Sequence, residues 1–201
     1  MNDPAGPRRK FEIVAMAASA GGLSALGSVL AGLPGNFPAA VVLVQHLAPH
    51  HESLLAEILG KRTKLRVTQA RAGDRLAPGT VHVAPPDEHL LVSGDGSLSL
   101  SHSELVHFVR PSADLLFESV AAGFKDRAIA VVLTGTGSDA SIGIVAVKKM
   151  GGVVVVQDEA TSEFFGMPDA AIRTRQVDMV LPLEAIAPAL VRMVMGETND
   201  A

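Results

Sequence analysis

The stretch AIAVVLTGTGSDASIGIVAVKKMGGVVVVQ, from Ala128 to Gln157, decides the fold. It opens with a short apolar run rich in β-branched residues, Ala128 to Leu133. It then breaks at Thr134-Gly135-Thr136-Gly137-Ser138, takes a helical pattern from Ser141 to Met150, and closes with a second apolar run, Val153 to Gln157. Strand, turn, helix and strand in that order make a βαβ unit, whose two strands are parallel. Runs that are apolar throughout, rather than alternating, suit parallel strands covered on both faces.

The same alternation extends in both directions. Strands are expected at Phe11–Met16, Ala39–Gln45, Leu65–Gln69, Val81–Ala84 and Met179–Leu181. Helices are expected at Gly21–Leu33, His51–Arg62, Ser112–Phe124, Pro168–Thr174 and Leu183–Met195. Pro34-Gly35 ends the first of these, and Ser112 is a candidate N-cap for the third. Gly94-Asp95-Gly96 lies between two alternating runs within His89–Leu100, which is a hairpin signal. The expected architecture is α/β, a three-layer doubly wound and mainly parallel sheet with an antiparallel hairpin. One domain, residues 11–196, accounts for the pattern; residues 1–10 read as a disordered lead-in and 197–201 as a disordered tail.

Composition limits what such a domain does. Hydrophobic residues make up 48% of the 201 and aromatic ones 3%, with no Trp or Tyr, so Val, Leu, Ile and Ala must fill the interior. A net charge of −4 gives little attraction to nucleic acid or to an anionic membrane. The absence of cysteine excludes a disulfide framework, a thiolate nucleophile and a Cys-ligated zinc site. No apolar run approaches the roughly 18 to 20 residues needed to cross a bilayer, and the N-terminus lacks the features of a signal peptide. A cytoplasmic protein with no membrane insertion is expected.

In an open parallel sheet, ligands bind outside the carboxyl ends of the strands. Ser19 follows the first expected strand and precedes Gly21-Gly22; His46 follows the second; Asp139 follows Leu133 through the glycine-rich turn. A nucleophile, a base and an orienting acid are the parts of an acyl-transfer triad. Each residue also has a plainer reading. Ser19 alone reads more readily as a helix cap. His46 with His50 has metal-ligand spacing, but Pro49 interrupts any shared helix face and no acidic or cysteine cluster completes a shell. His82 and His89 read as structural, and His102 and His107 as surface or lining residues. Gly135-Thr136-Gly137-Ser138-Asp139-Ala140 also fits G-x-G-x-x-A between strand and helix, with Asp158 near the position of a ribose-binding acid. That pattern points to an NAD(P)-binding, Rossmann-like oxidoreductase, and Asp139 could equally cap the helix that follows it.

Several segments taken together resemble the receptor methylesterase family, the CheB catalytic domain. They are Ala17-Ala18-Ser19-Ala20-Gly21-Gly22, Val44-Gln45-His46, Val83-Ala84-Pro85 through His89-Leu90, Arg110-Pro111-Ser112-Ala113-Asp114-Leu115-Leu116-Phe117, Leu133 through Asp139, and Gln157-Asp158 leading to Gly166-Met167-Pro168. The resemblance implies a serine hydrolase that removes methyl esters from glutamate side chains of chemoreceptor-type proteins, releasing methanol, with glutamine deamidation in some members. It implies Ser19 as nucleophile, His46 as general base and then acid, Asp139 as the group that orients it, and the N–H groups of Ala20 and Thr136 as oxyanion donors. No metal or organic cofactor is implied, and the partner is a methylated chemoreceptor helix or similar methylated protein. Ala17 and Ala140 stand where the family usually has glycine, and their methyls are expected to crowd the turns beside Ser19 and Asp139. Ten residues precede the first expected strand, so a receiver domain is not expected within this chain, and the protein is expected to be either constitutively active or controlled by a separate regulator. A binding module without turnover is the remaining alternative.

Overall fold

A computed structural model describes residues 11–46 and 53–196. The expected lead-in and tail, and His50 and His51, lie outside the described residues. Nine strands and six α-helices follow one another among the described residues. They are β1 (Ile13–Ala18), α1 (Gly22–Ala31), β2 (Ala40–Gln45), α2 (Leu55–Gly60), β3 (Arg66–Gln69), β4 (Thr80–Val83), β5 (His89–Val92), β6 (Leu98–Ser101), α3 (Ala113–Phe124), β7 (Ala128–Val132), α4 (Ser141–Lys149), β8 (Val153–Gln157), α5 (Gly166–Arg173), β9 (Met179–Leu181) and α6 (Leu183–Met195).

Seven strands form one parallel sheet in the order β3-β4-β2-β1-β7-β8-β9, and β5 pairs with β6 as a separate antiparallel hairpin. The period-2 geometry of a strand sorts β1 between two cores. Val14, Met16 and Ala18 face the first, with Leu26 and Leu30 of α1, Leu59 of α2 and Ile186 and Leu190 of α6. Ile13, Ala15 and Ala17 face the second, with Leu116, Phe117 and Val120 of α3 and Ile144 and Val147 of α4. Every residue of β1, β2 and β7 is buried, which is why their sequences show no alternation.

Packing of α3 against α4 closes the second face, and α3 also carries the β5–β6 hairpin. Gly143 is a contact point between the two helices: a Cβ there would come within 2.6 Å of the Phe117 Cβ. The chain runs from β1 to β2, on to β3 at the sheet edge and back to β4 between them, then crosses to the other side of β1 for β7, β8 and β9. The strand order therefore reverses between β1 and β7, which is where a doubly wound sheet opens a crevice at its carboxyl edge.

Candidate active site

Ser19 immediately follows β1, His46 immediately follows β2, and Asp139 closes the turn between β7 and α4. The three thus straddle the point where the strand order reverses. His46 and Asp139 meet directly, with Nε2 of His46 2.8 Å from Oδ2 of Asp139. Ser19 and His46 line the same open cleft of about 650 Å³, together with Gln45, Leu23, Arg62 and Glu163.

Asp139 is 4% exposed and is held as an anion by what surrounds it. Burial pushes its carboxyl up, and the hydrogen bonds from His46 and from the N–H groups of Ala113 and Asp114 together push further the other way. The net result lies below the ordinary aspartate value. The donors are the first amides of α3: Ala113 N at 2.6 Å from Oδ2 and Asp114 N at 3.1 Å from Oδ1, with Ser112 Oγ donating to Oδ1 at 2.9 Å. A helix N-terminus favours a negative charge through its unspent N–H groups and its dipole. Both oxygens are committed, so the carboxylate and the imidazole bonded to it have one arrangement.

A reciprocal bond ties the next helix. Asp114, in the first turn of α3, accepts from Ile142 N at 2.9 Å and Gly143 N at 2.6 Å, the first free amides of α4. Each aspartate caps the other's helix. Burial, reinforced by the nearby Asp139 charge, leaves the Asp114 carboxyl above its ordinary value despite those amides. Nε2 of His107 stands 3.2 Å from its second oxygen.

The Ser19 turn is fixed by backbone and by one side chain. Ser19 N donates to Thr134 O at 3.0 Å, Gly22 N donates to Ser19 O at 2.8 Å, and Gly21 takes the left-handed conformation between them (φ 75°). Nε2 of Gln45 donates to Ser19 O at 2.7 Å and to His46 O at 3.1 Å, so one amide holds both backbones in register. Gly135 lies against the serine; a Cβ there would stand 2.8 Å from Ser19 Cβ and collide with Sδ of Met167. Gln157, fully buried at the end of β8, accepts from Thr134 N at 2.9 Å and donates to Thr161 O at 2.8 Å. Ala20 lines the cleft in the turn after β1 and Thr136 lies in the turn after β7, and neither N–H is spent on a described residue.

Gln45 and Gln157 were within recognisable segments of the sequence, yet nothing in the sequence assigns them a partner. A glutamine at the end of a buried strand is the signal that could have drawn attention to them. Ser112 is the N-cap of α3 as expected, its Oγ accepting from Leu115 N at 3.4 Å while donating to Asp139. His89 is fully buried and structural: its Nδ1 accepts from Ser112 N at 3.0 Å and its Nε2 donates to Glu104 O at 3.1 Å.

Two alternative readings fail on the same bonds. Asp139 does cap a helix, but it is α3 and not the α4 that follows it in sequence. The dinucleotide pattern requires free amides at the start of α4 for a pyrophosphate, and the carboxylate of Asp114 occupies them. Asp158, offered as a ribose-binding acid, instead closes a turn by accepting from the N and Oγ1 of Thr161 at 3.0 and 2.6 Å. The expected crowding by Ala17 does not arise, since it lies within β1 and its methyl fills the second core. Ala140 does sit at a strained point, at φ 90° as the N-cap of α4.

A doubly wound α/β sheet with a half-buried histidine bonded to a buried aspartate, beside a half-buried strand-to-helix serine turn, defines a hydrolase-like protein. The chain belongs to the CheB methylesterase family, whose model matches residues 14–190. It is similar to the crystal structure of the Thermotoga maritima CheB methylesterase catalytic domain, with a TM-score of 0.88 and 37% identity, covering 92% of this chain and 99% of that one. The protein-glutamate methylesterase/protein-glutamine glutaminase of Moorella thermoacetica is 43% identical over 195 residues, 95% of this chain. The chain spans about half the length of that relative (46%). A Leptospira interrogans relative, 39% identical over 183 residues, is matched over 95% of its length.

Proposed function

We propose that this chain hydrolyses γ-methyl esters of glutamate on a methylated chemoreceptor-type protein in the cytoplasm, with Ser19 as nucleophile, His46 as general base and Asp139 as the residue that orients it. The observation that carries this reading is the 2.8 Å bond from His46 to a buried, ionised Asp139, at the cleft that His46 shares with Ser19. With Nε2–H donating to Asp139, the lone pair of the base is on Nδ1. Ser19 Oγ attacks the ester carbonyl as His46 takes its proton. Ala20 and Thr136 N–H, one from each turn, are suited to the oxyanion that forms. Collapse breaks the C–O bond, His46 returns the proton to the leaving oxygen, and methanol departs. Water then attacks the acyl-serine with His46 again as base, which frees the glutamate carboxylate and Ser19. A glutamine amide follows the same sequence with ammonia leaving, the second activity in the name of the Moorella relative.

The test is methanol release from a methylated chemoreceptor cytoplasmic fragment by the native chain and by Ser19→Ala. Loss of a triad nucleophile is expected to lower kcat by several orders of magnitude while the fold is kept. Equal rates from the two chains would refute the assignment of Ser19. Binding of the fragment without turnover by the native chain would favour the binding-module reading.

A further inference from the structure

The segment between β6 and α3 carries an aromatic side chain that the proposed chemistry does not use. Phe108 is 94% exposed, the most exposed large hydrophobic residue described. It occupies a two-residue turn closed by Val106 and Val109, which pair through both backbone bonds (3.2 and 2.9 Å). His107 and Phe108 both have positive φ, 50° and 63°. Such turns ordinarily take Asn-Gly, and a bulky pair there contradicts the local preference. Local rules broken in this way concentrate at functional sites.

The turn stands on a polar scaffold. Arg110 donates to the carbonyls of His102 and Ser103 at 3.0 and 2.8 Å, and to Oδ1 of Asp87 at 3.0 and 2.7 Å. Buried His89 holds Glu104 O from below. His107 is 3.2 Å from Asp114, which caps α4 and donates its own N–H to Asp139. Phe108 is therefore displayed on a braced loop joined to the carboxylate that holds His46. Leu105 (54% exposed) is on the same loop, and Ile142 (52%) is the α4 residue whose N–H Asp114 accepts.

We infer that Phe108, with Leu105 and Ile142, is a docking rim for the protein substrate, taking an aliphatic side chain of the polypeptide next to the esterified glutamate. This rests on the methylesterase reading above. An ester carried on a protein brings flanking residues with it, and an aromatic on a backbone braced before binding has only its two side-chain torsions to lose when it is covered. Leu105, Phe108 and Ile142 are not among the residues lining the Ser19 cleft, so a small ester bound there leaves the rim uncovered.

The experiment compares kcat/KM on the methylated receptor fragment with that on N-acetylglutamate γ-methyl ester, for the native chain, Phe108→Ala, Phe108→Leu and Ser19→Ala. The native chain is expected to favour the fragment. Phe108→Ala raises KM on the fragment about tenfold and leaves the small ester at its native rate; Phe108→Leu, which keeps apolar bulk, recovers most of the loss. Unchanged KM on the fragment, an equal loss on both esters, or a native chain with no preference for the fragment would overturn the rim. Failure of the reading beneath it looks different, because Ser19→Ala would then match the native chain on both esters, and the rim would fall with it.

Discussion

Asp139 accepts hydrogen bonds through both oxygens, and this decides what an isosteric change does there. An amide in its place turns an N–H towards other donors in either orientation, towards Ala113 N–H and His46 in one and Asp114 N–H in the other. Asp139→Asn is therefore expected to lower the thermal midpoint by the equivalent of about 1 to 3 kcal/mol, the cost of a buried unmade bond, as well as reducing methanol release by orders of magnitude. A calorimetric scan with native stability would contradict this. Gly135→Ala places its methyl against Ser19 and Met167, so kcat on a small ester is expected to fall sharply with a smaller loss of stability. Ala140→Gly is a case where the magnitudes nearly cancel. Releasing a left-handed alanine gains about 1 to 2 kcal/mol. Losing its buried methyl and gaining glycine's backbone freedom costs about 0.8 and about 0.5 to 1 kcal/mol. The stability change is expected to stay within about 1 kcal/mol of zero, measured by denaturant unfolding.

At the scale of elements, the parallel strands and their helices were legible because burial on both faces leaves runs such as Val153–Val156 that are apolar throughout. Boundaries moved where the end of an element is set by tertiary contacts. β1 continues to Ala18, two residues past the expected end, because Ala17 O accepts from Leu133 N and Ala18 O from His46 N. The start of α5 at Gly166 was missed; it is fixed by Met167 N donating to Gly135 O at 2.8 Å, a bond across the site. The positions of Ser19, His46 and Asp139 after strands were readable, whereas the exchange of caps between α3 and α4 was not, since it joins residues 25 to 29 apart through side-chain bonds. For those caps, Asp114→Ala removes the acceptor for Ile142 and Gly143 and is expected to cost about 0.5 to 2 kcal/mol. Asp114→Asn keeps one acceptor and removes a buried charge, so it should retain more stability than the alanine variant at neutral pH. The reverse order in unfolding midpoints would count against the cap assignment.

For the whole molecule, the two aspartates act on acid stability in opposite senses. The Asp139 carboxyl lies below its ordinary value when folded, so its contribution is complete above the usual carboxylate range and is lost as pH falls through the lowered value. The Asp114 carboxyl lies above its ordinary value, so its contribution is present in acid and is lost as pH rises through the raised value. Thermal midpoints from about pH 3 to about pH 7 should show a smaller rise for Asp139→Asn and a larger one for Asp114→Asn than for the native chain. No helix among the described residues is long and apolar enough to cross a membrane. The exchange of caps also bears on how such a domain loses its activity by drift. Among the described residues Ser19 Oγ holds nothing in place and the His46 ring bonds only Asp139, so either can mutate while the scaffold survives. Asp139 is a rivet between two helices as well as an acid, so purifying selection on foldedness alone should preserve it. On the proposed triad, a lineage that has abandoned catalysis should show that history first at Ser19 and His46, with Asp139 left behind as a relic of the chemistry.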